Sequence, residues 1–127
     1  MTKKKRPVYL NLMQVRLPLP GWVSILHRVS GTLLFLLLLI FGVMWFAESL
    51  GSPEGFATVS QTLSMPFFRL VALAALWAYL HHFCAGIRYL FLDINVGIDL
   101  PQARATSYVV LIVSIGLTLL IGSKLLW

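Results

Sequence analysis

Acidic side chains are almost absent: Glu48, Glu54, Asp93 and Asp99 are the whole set in 127 residues. Charge of either sign is scarce, at 11% of the chain against 59% hydrophobic. Soluble globular domains carry roughly 25% charged residues, so a water-soluble globule is excluded. Cysteine occurs once, at Cys84, which rules out an internal disulfide. No C-x-x-C-H sequence is present, so a covalently attached haem is excluded too.

What the chain has is long apolar runs. Positions 29–47, 70–87 and 105–123 contain no Asp, Glu, Lys or Arg, and each is close to the ~20 residues a helix needs to cross a bilayer. The expected fold is an all-α membrane protein. Three transmembrane helices, at about 22–49, 66–93 and 105–125, run up-down-up in a single membrane-anchor domain over 1–127. The first run starts too late and is too long for a cleavable signal peptide, so it is expected to stay in the protein. Basic residues bring the net charge to +6, but they cluster at the ends of the runs rather than on one soluble face. That argues for membrane orientation and against nucleic-acid binding. Lys3, Lys4, Lys5 and Arg6 open a basic arm, residues 1–21, in which Pro7, Pro18, Pro20 and Gly21 argue against regular helix. By the positive-inside bias this arm is cytoplasmic. The loop 94–104, where Asn95, Gly97 and Pro101 break the helix, is flanked by Arg88 and Arg104 and returns to the same side. The loop 50–65 has no Lys or Arg and faces away, with a short surface helix expected over Phe56–Ser64. Lys124 and Trp127 anchor the far interface.

Two histidines, His81 and His82, lie inside the second run. An ionisable side chain at that depth is costly and marks a functional site by default. A neutral imidazole is a good ligand for haem iron. Ala78 and Gly86 sit one turn either side of His82, within ~40° on the helical wheel, which leaves room for a flat macrocycle. His81 points ~100° away and reads as a histidine satisfied within the bundle. For His82 a hydrogen bond across helices is the competing reading. On the first helix, Ser24, His27, Arg28 and Gly31 fall at i, i+3, i+4 and i+7, on one face. A hydroxyl, an imidazole and a fixed cation suit a haem propionate or a quinone oxygen. Taken alone, Arg28 is equally well explained by snorkelling to the interface. His27, Arg28, Arg88 and Tyr89 are expected at the cytoplasmic surface, with His82 ~10 Å deeper than Tyr89 at 1.5 Å per residue. The third helix offers no chemistry. Ser107, Ser114 and Thr118 make a packing stripe, with Gly116 and Gly122 allowing close approach.

The block Ser24-Ile25-Leu26-His27-Arg28-Val29-Ser30-Gly31, followed later by His82-x-x-x-Gly86-Ile87-Arg88 and Asp93, resembles the cytochrome b subunit of succinate dehydrogenase. That subunit is one of two membrane anchors of respiratory complex II. Arg6-Pro7 and Ser52-Pro53-Glu54-Gly55-Phe56 fit the same pattern, so the resemblance covers nearly the whole chain. It implies three transmembrane helices forming half of a bundle with a second hydrophobic anchor subunit. It implies one haem b shared between the two, with His82 as an axial ligand of the iron and the other histidine from the partner. Ser24 and Arg28 fall on positions lining the ubiquinone site, and His27 and Arg28 lie near the haem propionates. A flavoprotein subunit oxidises succinate, and electrons reach ubiquinone through an iron–sulfur subunit, so the anchor is not catalytic by itself. The resemblance places the chain in a bacterial cytoplasmic (inner) membrane with its N-terminus in the cytoplasm. Tyr89 departs from the pattern, since relatives often carry His there. A haem-free anchor with a quinone site and a fumarate reductase anchor remain open. So does a small channel lined by His27, Arg28 and His82, although residues 33–47 and 70–77 offer it almost no polar path.

Overall fold

A computed structural model describes residues 16–126. Most of the basic arm, residues 1–15, and Trp127 lie outside the described residues. Four helices follow one another: α1 (Leu19–Gly51), α2 (Pro53–Ser64), α3 (Pro66–Asp93) and α4 (Leu100–Leu125). There is no strand among the described residues. Helices α1, α3 and α4 run for 33, 28 and 26 residues and are apolar enough to cross a membrane. At 1.5 Å per residue each exceeds the ~30 Å hydrocarbon core.

Proline sets where the helices begin. Each of the four has one in its first turn: Pro20, Pro53, Pro66 and Pro101. The missing N–H is an orphan at that position anyway, and the fixed φ suits a helix. Pro20 and Pro101, expected to interrupt helix, therefore start it. This is why α1 begins at Leu19 rather than 22 and α4 at Leu100 rather than 105. The α3–α4 loop turns on Asn95 and Gly97, both left-handed, with φ of 62° and 82°. Short polar Asn and side-chain-free Gly are the residues that tolerate this region. Ser52 caps α2, its Oγ accepting from Gly55 N–H at 3.0 Å. Gly55 lies so close to the Glu48 carbonyl that no Cβ would fit.

Helix α3 is the central element, packed on α1 along one side and α4 along the other. The junction is small: Val23, Ala85 and Val110 contribute one buried residue from each helix. Small residues let membrane helices approach closely. On α4, Ser107, Ser114 and Thr118 are all buried. Each hydroxyl donates within its own helix, to the carbonyls of Ala103, Leu111 and Ser114 at 2.7, 3.1 and 2.7 Å. The stripe thus works through small size rather than through bonds across helices. Gly122 does allow close approach, since a Cβ there would meet Leu73 Cδ1 at 2.5 Å; Gly116 has nothing within 4 Å and does not. Arg88 ties α3 to α4. Its Nε donates to Thr106 Oγ1 at 3.0 Å and its Nη2 to the Ala103 carbonyl at 3.4 Å.

Midway along α1, Leu38–Gly42 forms a π turn, which no feature of the sequence announces. Before it, α1 packs on α3. Beyond it, contact with α3 is reduced to features such as the edge-on Trp45–Phe68 pair, ring centroids 5.5 Å apart. Large apolar side chains stay exposed on every long helix, Phe35, Phe46, Leu90 and Ile112 among them. Such faces suit hydrocarbon or another subunit rather than water.

A Gly55→Ala substitution is expected to push α2 off the rigid Glu48 carbonyl and cost about 1–3 kcal/mol. Gly51→Ala, with nothing within 4 Å, should be neutral. Thermal unfolding of the two purified variants in detergent checks the contrast.

Candidate functional site

The His27 ring on α1 lies flat on the His82 ring on α3, centroids 4.1 Å apart and planes at 6°. His27 also touches Tyr89, centroids 5.0 Å apart. His82, Gly86 and Tyr89 fall at i, i+4 and i+7, so they share a face of α3. Gly86 leaves the space His27 occupies; a Cβ there would stand 3.8 Å from His27 Nε2. Gly31 does the reciprocal job on α1, where a Cβ would come within 2.7 Å of His82 Cε1. One glycine on each helix therefore admits the ring from the other.

The hydrogen bonds define the state of His82. Its Nδ1 is 3.0 Å from the His27 carbonyl oxygen and 3.3 Å from Ser30 Oγ. A carbonyl only accepts, so Nδ1 carries the proton and donates it. The Ser30 hydroxyl donates to the same carbonyl at 2.9 Å. In a neutral imidazole with its proton on Nδ1, Nε2 is left as a bare lone pair. Among the described residues Nε2 has no hydrogen-bond partner. His82 lines an open groove of about 480 Å³ together with His27, Arg28, Gly31, Thr32, Phe35 and Leu36. A ring nitrogen held by a backbone acceptor, with the other nitrogen free, is the arrangement of a metal-ligating histidine.

Of the residues singled out from sequence, His27, Arg28, Gly31 and His82 come together here. Arg28 is exposed, with no carboxylate in ion-pair range among the described residues, so the groove carries positive charge at its rim. Ser24 lies one turn before Arg28, half-buried, and is not in the groove wall. His27 is half-buried, and the close crossing at Gly31 and Gly86 brings its ring onto that of His82. Ala78 and Gly86 do not frame the open room beside His82: Ala78 is 4% exposed and lines a separate small cavity against α1, and Gly86 lies under His27. The room beside His82 is at Gly31 and Thr32. His81 is 0% exposed, stacked on Trp77 and beside the Val23 backbone of α1.

Sequence reasoning gave Ser30 and Tyr89 no role in the site. Ser30 follows His27 by three residues and Tyr89 follows His82 by seven, so their faces were readable. The cross-helix register that makes them partners was not. Tyr89 Oη and His27 Nε2 are both buried without a partner among the described residues. No three His, Cys, Asp or Glu side chains converge as a metal-ion site among the described residues. The groove instead offers one aimed nitrogen, apolar walls and a cation, a donor set that fits one axial side of a haem.

The profile of the succinate dehydrogenase/fumarate reductase transmembrane subunit family matches residues 2–121. The chain belongs to this family. It is similar to the succinate dehydrogenase cytochrome b556 subunit of Coxiella burnetii (strain RSA 493 / Nine Mile phase I), 37% identical over 112 residues, covering 87% of this chain and 88% of the relative. The protein of the same name from Rickettsia felis (strain ATCC VR-1525 / URRWXCal2) is 32% identical over 117 residues, covering 92% and 90%. That from Paracoccus denitrificans is 28% identical over 120 residues, covering 94% and 92%. For this family member, then, the stacked histidines lie in a transmembrane subunit, at the crossing of two of its three spans.

Gly31→Ala should displace the His82 ring and destabilise the chain by about 1–3 kcal/mol, whereas Gly116→Ala should not. Thermal midpoints measure the difference, and ¹⁵N NMR of the histidines should show the Nδ1–H form of His82 perturbed only in the first variant.

Proposed function

We propose that this family member is the cytochrome b anchor of a succinate dehydrogenase, with His82 Nε2 as one axial ligand of a b-type haem iron. The observation that carries this reading is the 3.0 Å contact between His82 Nδ1 and the His27 carbonyl oxygen, which puts the proton on Nδ1 and leaves Nε2 without a partner among the described residues. When bound there, haem supplies a one-electron carrier inside the membrane.

The chain's own residues then have distinct tasks. The His27 carbonyl and Ser30 fix the tautomer of His82 and stop its ring from turning. The His27 ring supports it from one face. Gly31 keeps the approach to Nε2 open, and Phe35 and Leu36 exclude water. Arg28 offers a fixed guanidinium to a haem propionate or to a ubiquinone oxygen, a charge-assisted hydrogen bond in either case. Ser24, a turn nearer the helix start, offers its hydroxyl to ubiquinone.

The groove supplies one nitrogen, so a haem held there would take its other iron ligand from a partner, a second hydrophobic anchor subunit seated on the exposed apolar faces. Arg16, Arg28, Arg88 and Arg104 lie at one end of the helices, and Arg69 and Lys124 with Glu48 and Glu54 at the other. By the positive-inside bias the basic end and the N-terminus are cytoplasmic, in a bacterial inner membrane. The iron–sulfur subunit docks on that end and the flavoprotein lies beyond it. Electrons from succinate thereby enter next to the Arg28 rim and reach ubiquinone.

Changing His82 to Ala is expected to abolish the b-type absorbance of the purified complex; an unaltered spectrum would overturn the ligand assignment. Changing Arg28 to Leu should lower ubiquinone reduction roughly tenfold or more, the scale of one lost hydrogen bond to a charged group. Phenazine-linked succinate oxidation should be unchanged. Equal loss of both activities would contradict a quinone-facing role.

A further inference from the structure

Near the cytoplasmic ends of α3 and α4 a second cleft opens, of about 430 Å³. It shares no wall residue with the His82 groove. Cys84, Phe91, Val109 and Val113 make its walls apolar, and Arg88 is the one charged residue lining it. Arg88 is 7% exposed. Its Nε and Nη2 are held by Thr106 Oγ1 and the Ala103 carbonyl. Its Nη1 has no partner among the described residues, and no carboxylate lies within ion-pair range there.

Two neutral acceptors and the Tyr89 ring, its centroid 5.5 Å from Cζ, orient the guanidinium but do not neutralise it. A cation buried in a membrane span without a counter-charge is costly, so an anion is the missing half of this arrangement. The walls select which anion. A soluble ion gains nothing from the apolar sides. A haem held on His82 lies elsewhere, because Arg88 is ~120° around α3 from His82 at 100° per residue. An amphiphile with a phosphate at one end and hydrocarbon at the other satisfies both parts of the cleft. Its volume is in the usual range for a ligand site, ~300–1,000 Å³. Basic pockets between helices on the cytoplasmic side are where anionic headgroups bind, and exposed Arg104 stands at the same end, two residues before Thr106.

We propose that this cleft binds an anionic glycerophospholipid of the adjoining leaflet, its phosphate on Arg88 and an acyl chain between α3 and α4. The phosphate accepts from Nη1, and the chain packs along Phe91, Val109 and Val113. The lipid thereby closes the side of the α3–α4 pair that the protein leaves open.

Native mass spectrometry of the whole complex tests this, with dioleoylphosphatidylglycerol and dioleoylphosphatidylcholine as probes. The wild-type complex should retain the anionic lipid in preference to the zwitterionic one. Arg88→Gln should erase that preference, weakening the phosphatidylglycerol adduct roughly tenfold or more. Val109→Phe, which keeps the cation but fills the cleft, should weaken both adducts. Thr106→Val removes one of the two α3–α4 hydrogen bonds lost in Arg88→Gln yet leaves the charge, so it should keep the preference. Equal retention of the two lipids by the wild type, as when a partner's carboxylate already holds Arg88, would overturn the proposal. So would an undiminished preference in Arg88→Gln, or its loss in Thr106→Val.

Discussion

The hydrogen bond from His82 Nδ1–H to the His27 carbonyl, 3.0 Å long and across two membrane-spanning helices, is the constraint on which the rest of the site depends. In hydrocarbon an unpaired ring N–H has no water to turn to, and leaving it unmade costs about 1–3 kcal/mol or more. The bond therefore locks the tautomer as well as the distance between α1 and α3. It forms only because Gly31 admits the His82 ring and Gly86 admits the His27 ring. Ser30 shares the same carbonyl, so three polar groups satisfy one another.

The architecture divides labour around α3. One face meets α1 and carries the histidines. Another meets α4, whose buried hydroxyls are spent on their own helix, so that α4 contributes smooth packing and little else. Arg88 is the exception, a charged tie between α3 and α4 at the basic end. The buried core is small and the exposed apolar area is large, which is the balance expected of a subunit whose remaining surface meets lipid and other chains. A groove with one free nitrogen and one rim cation is likewise half of a site.

The three spans were legible because charge is so rare: three runs without Asp, Glu, Lys or Arg leave no other reading. The helix starts were less legible. Pro20 and Pro101 looked like breakers, and only the helix geometry shows that proline in a first turn is a starter. His27, Arg28 and His82 were legible as candidates, since periodicity within one helix puts His27 and Arg28 on a face and burial makes His82 expensive. The stacking of His27 on His82, the place of open room beside His82 and the part of Tyr89 were not. Each depends on the register between α1 and α3, which is set by two glycines on different helices and leaves no trace in either helix alone. The π turn at Leu38–Gly42 had no local signal in a run of large apolar residues. His81 shows the limit from the other side, because burial was readable from its position but its stacking on Trp77 was not.

The most direct measurement of the central claim is a reduced-minus-oxidised absorbance spectrum of membranes holding this chain with its neighbouring subunits, with succinate as reductant. A b-type difference signal on adding succinate is the predicted result. It would place haem in this anchor and in electronic contact with succinate oxidation. Intact succinate-driven quinone reduction without any haem signal would contradict the account, and would leave the His82 groove without the occupant proposed for it.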